Sequence, residues 1–176
     1  MSEKKRALEL EPLSLVINFE RGLAFYFSRD YDQAIDQFQK TLELDANFPP
    51  PYAFLAAAYE QKGMFEAAIT VFTQGPPKAL AMAGLGHVYA VSGRKAEART
   101  ILAALQKLSE HNYVPATDMA LIYAGLGDKD KTFAWLDKAY EEHSFTLSNV
   151  KVEPRFDPLH SDPRFNELLR RIGLTQ

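Results

Sequence analysis

The sequence predicts an all-α protein, a right-handed α-solenoid of about four helix–turn–helix repeats closed by a C-terminal capping helix. Three observations predict it. A small residue followed three places later by an aromatic recurs as Gly22/Phe25, Ala56/Tyr59, Gly86/Tyr89 and Ala120/Tyr123. Twelve residues beyond each small residue stands Ala34, Ala68, Ala98 or Thr132, and four further on comes Phe38, Phe72, Leu102 or Leu136. Successive small anchors are 34, 30 and 34 residues apart. Small residues at two sites let paired helices approach closely, while the aromatic and the bulky residue fill the space around that contact.

Taken in order, residues 1–14 read as the tail of a truncated repeat, because Ala7-Leu8-Glu9-Leu10-Glu11-Pro12 parallels Thr41-Leu42-Glu43-Leu44-Asp45-Ala46. The repeats follow at 15–48, 49–78, 79–112 and 113–146, with a capping segment at 147–176, all in one domain. Gly63, Gly93 and Gly127 sit where a first helix ends with its next residue in the left-handed region; the first repeat has Arg29 there. The second repeat is short, and Gly75-Pro76-Pro77 ends its second helix, so the superhelix is expected to change pitch or direction there. Thr132 in place of alanine predicts a slightly wider last pair. In the tail, Phe145–Pro154 reads as a short helix or extended segment. Asp157-Pro158 and Asp162-Pro163 are turn signals, and Phe165, Leu168, Leu169 and Ile172 follow helical spacing up to Gly173. That last helix is expected to cover the exposed end of the fourth repeat.

The pattern resembles the tetratricopeptide repeat over roughly residues 7–144. More specific strings are Pro154-Arg155-Phe156-Asp157-Pro158-Leu159-His160-Ser161-Asp162-Pro163-Arg164-Phe165, Tyr59-Glu60-Gln61-Lys62-Gly63-Met64 and Ile122-Tyr123-Ala124-Gly125-Leu126-Gly127-Asp128-Lys129-Asp130. Together they resemble the C-terminal repeat region of bacterial multidomain signalling proteins, where such arrays follow serine/threonine kinase, nucleotide cyclase or winged-helix activator domains. The resemblance implies a sensory or scaffolding module whose partner could be a domain of its own full-length protein.

Composition narrows the function classes. The 176 residues are 47% hydrophobic and 24% charged, which fits a folded globular chain. A net charge of −3 gives no drive onto nucleic acid or anionic lipid, and no apolar run approaches the roughly 20 residues a membrane helix needs. There is no cysteine, hence no disulfide and no thiolate site, and a cytoplasmic location is the natural expectation.

Candidate chemistry is sparse. His87, His111, His143 and His160 show no helical zinc spacing, and Glu141-Glu142-His143 reads as a solvated helix end. Gly84-Leu85-Gly86 lies in a helix and lacks the third glycine of a phosphate loop. Arg164, Arg170 and Arg171 form a small basic cluster, read as a solvated terminus rather than a phosphate site. No cofactor or metal is expected, and the chain does not read as an enzyme.

A partner would meet the concave side, lined by the first helix of each pair. By register, the partner-binding candidates are Phe19, Glu20, Leu23, Tyr26 and Phe27, then Ala53, Phe54, Ala57 and Glu60, then His87, Val91 and Asp118. The positions that hold a peptide carboxylate in some tetratricopeptide proteins are here Glu20, Phe54, Gly84 and Asp118, none of them a cation or amide, which argues against that mode. An apolar, aromatic groove with a few acids suits an amphipathic helix or hydrophobic segment with a basic edge. Alternatively, Phe19, Tyr26, Phe27 and Phe54 pack against neighbouring helices. Phe54→Glu is expected to weaken partner binding with helicity intact; unfolding would show Phe54 to be core and remove it from the site. Two other functions stay open: self-assembly into a homo-oligomer through an uncapped N-terminal end, and small-molecule sensing near Pro76.

Overall fold

The computed structural model describes residues 15–75 and 78–174, and every regular element among them is helical. Four pairs follow one another: α1 (Leu15–Phe27) with α2 (Tyr31–Leu44), α3 (Pro50–Gln61) with α4 (Phe65–Gln74), α5 (Lys78–Val91) with α6 (Lys95–Ser109), and α7 (Ala116–Leu126) with α8 (Lys129–Glu141). Two 3-10 turns, η1 (Phe145–Asn149) and η2 (Pro154–Leu159), lead to α9 (Pro163–Arg171). The chain separates into two compact units that divide between residues 78 and 79. The truncated-repeat tail expected at 1–14, and the change of direction expected at Pro76 and Pro77, fall outside the described residues.

The repeating positions explain why these segments pair. Ala34, Phe38, Ala56, Ala68, Ala98, Ala120, Thr132 and Leu136 are fully buried, and Phe72 and Leu102 nearly so. The glycine anchors are steric requirements: a Cβ on Gly22 would lie 2.4 Å from the Phe38 ring, and one on Gly86 would lie 2.6 Å from Ile122 of α7 and 3.1 Å from Ile101 of α6. The recurring aromatics are half-buried and each takes a polar neighbour at the surface: the Arg21, Arg94 and Lys131 cations lie over Phe25, Tyr89 and Tyr123, and the Gln39 amide donates to the Tyr59 hydroxyl at 2.9 Å. Thr132 satisfies its hydroxyl within its own helix, donating to the Asp128 carbonyl at 2.8 Å, so no unpaired group enters the core.

Turn chemistry sets the hairpins. Gly63, Gly93 and Gly127 have φ of +72°, +85° and +78°, and Arg29 adopts the same left-handed conformation at +65° without glycine's freedom. That strain costs on the order of 1 kcal/mol, and the Arg29 guanidinium partly offsets it by donating to the Phe27 carbonyl at 2.6 Å. Helices α2, α8 and α9 open on the caps Asp30, Asp128 and Asp162, whose carboxylates accept backbone N–H groups three, three and two residues on. Helix α4 stops at Gln74, where Gly75 turns extended with ψ of 148°.

In the first unit the core is Tyr26, Ala34, Phe38, Leu55, Ala57 and Ala58, with α1 packed on both α2 and α3. A buried amide pair stitches α1 to α2, the Gln37 side chain donating to Asn18 Oδ1 at 2.9 Å. In the second unit Met119, Ala120 and Ile122 of α7 lie at the centre, with Leu105 of α6, Leu136 of α8 and Phe165 and Leu168 of α9 around them. Helix α9 lies along α8, tied by Arg164 to Asp130 and Arg171 to Asp137, and the same arginines sit over Phe133 and Tyr140. Both ion pairs join residues 34 apart, so the two helices run in the same direction. A regular stack would put an antiparallel helix next, and the 3-10 turns η1 and η2 supply the reversal.

Candidate functional site

Two surfaces stand out, one in each unit. In the first, Phe19, Leu23 and Phe27 recur every four residues along α1, which sets them one above another on a single face. Phe54 of α3 meets that face with ring centroids 5.7 Å from Phe19, 5.6 Å from Tyr26, 6.2 Å from Phe27 and 6.1 Å from Phe38. Tilted and edge-on geometries dominate, as ring quadrupoles favour. Phe19, Leu23, Phe27, Ala53 and Phe54 keep part of their surface in solvent, and Glu20 beside them is exposed.

In the second unit the 3-10 turns lie against α7. The Thr117, Thr146 and Ser144 hydroxyls form a chain of two 2.7 Å hydrogen bonds that pins the start of η1 to the first turn of α7, and η2 packs on α7 as well. Between them is a half-open cavity of about 180 Å³ whose polar wall is Thr117, Asp118, Asn149, Glu153 and Arg155 and whose apolar wall includes Leu121, Phe145 and Phe156. Glu153 and Arg155 are paired at 2.6 Å and mostly buried. The segment therefore both lies along α8 and covers the α7 face on which Thr117, Asp118 and Leu121 stand.

The register-derived candidates divide accordingly. Tyr26 and Ala57 are fully buried, and Glu60 and His87 almost so, which makes these four interior residues rather than contact points for a ligand. Burial of this degree leaves them little surface to offer a ligand. Phe19, Leu23, Phe27, Ala53 and Phe54 form the half-exposed aromatic face, with Glu20 at its edge. Val91 is exposed at the end of α5, and Asp118 stands alone in the second unit's cavity. Phe145, Glu153 and Arg155 were not among the candidates. Phe145 is 79% exposed, and its only signal in the sequence was an aromatic just after a helix end.

The Asp118 carboxyl is pushed up from 3.8 to about 6 by burial, with the nearby Arg155 cation pulling the other way. Between those two values the folded chain holds a proton that the unfolded chain has released. Stability therefore falls as pH rises through that window, and the full penalty is present at neutral pH. Asp118→Asn is expected to raise stability by roughly 1–3 kcal/mol at pH 7, the gain fading below about pH 4. Urea titrations of both proteins at several pH values check it; an equal gain at every pH would refute it.

The basic cluster is committed to partners: Arg164 to Asp162 and Asp130, Arg170 to Glu167, and Arg171 to Asp137. Among the described residues, no group of His, Asp and Glu could hold a metal ion, and no helix is long and apolar enough to cross a membrane. Residues 28–80 match the family model described as tetratricopeptide repeat, a stretch from the end of α1 to the start of α5. None of the curated proteins compared with the chain matches it.

Proposed function

We propose that this protein is a non-catalytic interaction module whose aromatic α1/α3 face receives a peptide or amphipathic helix from another polypeptide. The tetratricopeptide match supports the class, since such repeats generally mediate protein–protein interaction. The observation that carries the reading is the spacing of Phe19, Leu23 and Phe27, each half-buried, facing Ala53 and Phe54 of α3. A helix with apolar residues at matching spacing would bury what remains of these rings. The exposed Glu20 carboxylate at the edge favours a ligand with a basic flank. We place the module in the cytoplasm as a scaffold or regulatory part of a signalling system, its partner a separate protein or a domain of the same full-length chain.

Fluorescence anisotropy against a panel of amphipathic peptides tests this. Basic-flanked helices should bind, and Glu20→Lys should weaken them by roughly 3–10-fold with the melting temperature unchanged, because a rim charge alters affinity without entering the core. No binding at about 100 μM across the panel would defeat the proposal, since even a weak specific site should register there. Light scattering across a concentration series measures the competing self-assembly.

A further inference from the structure

The cavity of the second unit plays no part in the aromatic face and has a chemistry of its own. Three charged groups line it: Asp118, Glu153 and Arg155. Glu153 and Arg155 neutralise each other at 2.6 Å, Glu153 Oε1 also accepting the Arg155 backbone N–H at 3.3 Å. One negative charge is left over. Among the described residues no hydrogen bond or salt bridge holds the Asp118 carboxylate, which is partly buried in the cavity wall and feels the Arg155 cation at longer range. A partly desolvated carboxylate that shares the cavity's lining cation with Glu153 keeps part of its desolvation cost, and a cation that entered the cavity would reduce it. Phe145, standing mostly in solvent at the cavity mouth, offers an aromatic surface for the apolar stem of such a group.

We propose that this cavity is a receptor for one alkylammonium group, presented as a lysine side chain by a polypeptide partner. The choice of a polypeptide rests on the protein-binding reading above; the choice of an ammonium rests on the cavity alone. Its acceptors, the Asp118 carboxylate and the Thr117 hydroxyl oxygen, both line the cavity but belong to separate groups rather than to one planar carboxylate pair. Three rotatable N–H donors on a flexible stem can reach such acceptors, whereas a planar guanidinium fork favours two coplanar oxygens of one group. A bare divalent metal is a poorer fit, since Glu153 is already committed to Arg155 and Asp118 alone cannot build a coordination shell. The raised Asp118 carboxyl agrees with this picture: the Arg155 cation offsets only part of the burial.

Nuclear magnetic resonance titration of the full chain at pH 7.5 tests it with four probes. These are n-butylamine, Nα-acetyl-lysine methylamide, and their neutral isosteres n-butanol and Nα-acetyl-norleucine methylamide. Both amines should produce saturable shifts at the Thr117, Asp118, Thr146 and Asn149 amides with roughly millimolar dissociation constants, and the isosteres should bind at least about tenfold more weakly. Asp118→Asn should abolish the preference for amines while remaining folded. Identical titrations of wild type and Asp118→Asn, or no saturable shift at tens of millimolar, would overturn the site. Binding of butylamine without the lysine derivative would overturn the polypeptide source, and tighter binding of Nα-acetyl-arginine methylamide would overturn the preference for ammonium. No groove ligand enters this experiment, so its failure leaves the aromatic-face reading standing, and failure of the peptide panel overturns the polypeptide source while leaving the ammonium site intact.

Discussion

Gly22→Ala is expected to destabilise the first unit although it replaces a mid-helix glycine with the best helix former. The propensity gain is about 1 kcal/mol. Against it stands a methyl group 2.4 Å from Phe38 Cε1 and 2.6 Å from Cδ1. The Phe38 ring has nowhere to withdraw, being fully buried with Phe19 and Phe54 centroids 5.9 and 6.1 Å away. Overpacking of this kind costs roughly 1–3 kcal/mol for small additions, so the net change at Gly22→Ala is a loss of up to about 2 kcal/mol, and Gly22→Val should lose more. Urea unfolding combined with hydrogen exchange at the α1 and α2 amides measures it. A second substitution sharpens the test: shortening the ring with Phe38→Leu in the Gly22→Ala background should recover part of the loss, because neighbours in contact do not act additively. A stabilising Gly22→Ala would show that α1 and α2 are not held at the distance their small residues imply.

The same contact explains why so much of the fold could be read from residues alone. Gly22, Ala56, Gly86 and Ala120 recur because a helix pair tolerates only a small side chain at its closest approach, and that demand leaves a periodic trace. The left-handed turns at Gly63, Gly93 and Gly127 are visible for a similar reason, and Arg29 obeys the local geometry against its own preference. Beyond α8 the trace ends. The segment from Phe145 to Leu159 forms two 3-10 turns held by hydroxyl pairs and by packing on α7, and neither device has a period. His143 leaves α8 with φ of +52° where glycine would have announced the turn. The cavity around Asp118 was illegible for the same reason, since Glu153 and Arg155 reach it only through the path of that segment.

The candidate face was legible in its spacing but not in its burial. Register places Tyr26, Phe27 and Phe54 alike on inward positions, yet Tyr26 is fully buried while Phe27 and Phe54 are not. What separates them is the course of α3 over α1, which depends on how far apart the anchors hold the helices. A residue on a groove face can thus serve the fold and a ligand together, and substitution by alanine cannot tell the two apart.

Phe54 is where that ambiguity can be resolved. Its ring lies within 5.6 to 6.2 Å of four others, so it is the hub that joins α3 to both α1 and α2. Truncating a buried phenylalanine costs about 3–5 kcal/mol, and the half-buried position of Phe54 puts Phe54→Ala near the lower end, at roughly 3 kcal/mol. Phe54→Glu should be worse, because it sets a carboxylate among four rings, and loss of the first unit's helicity is the expected outcome. That runs against the outcome expected from the sequence, in which helicity survives, because the Phe54 ring packs on four others. Phe54→Leu separates the roles: it keeps apolar volume and should lose only about 1 kcal/mol, leaving circular dichroism unchanged. If this variant folds and binds basic amphipathic peptides like wild type, the ring serves the fold alone and the ligand reads Phe19, Leu23 and Phe27. If it folds and loses them, the Phe54 ring itself forms part of the contact. Should Phe54→Glu keep its native melting temperature, the aromatic cluster would not be what joins these helices, and the packing described for the first unit would have to be abandoned.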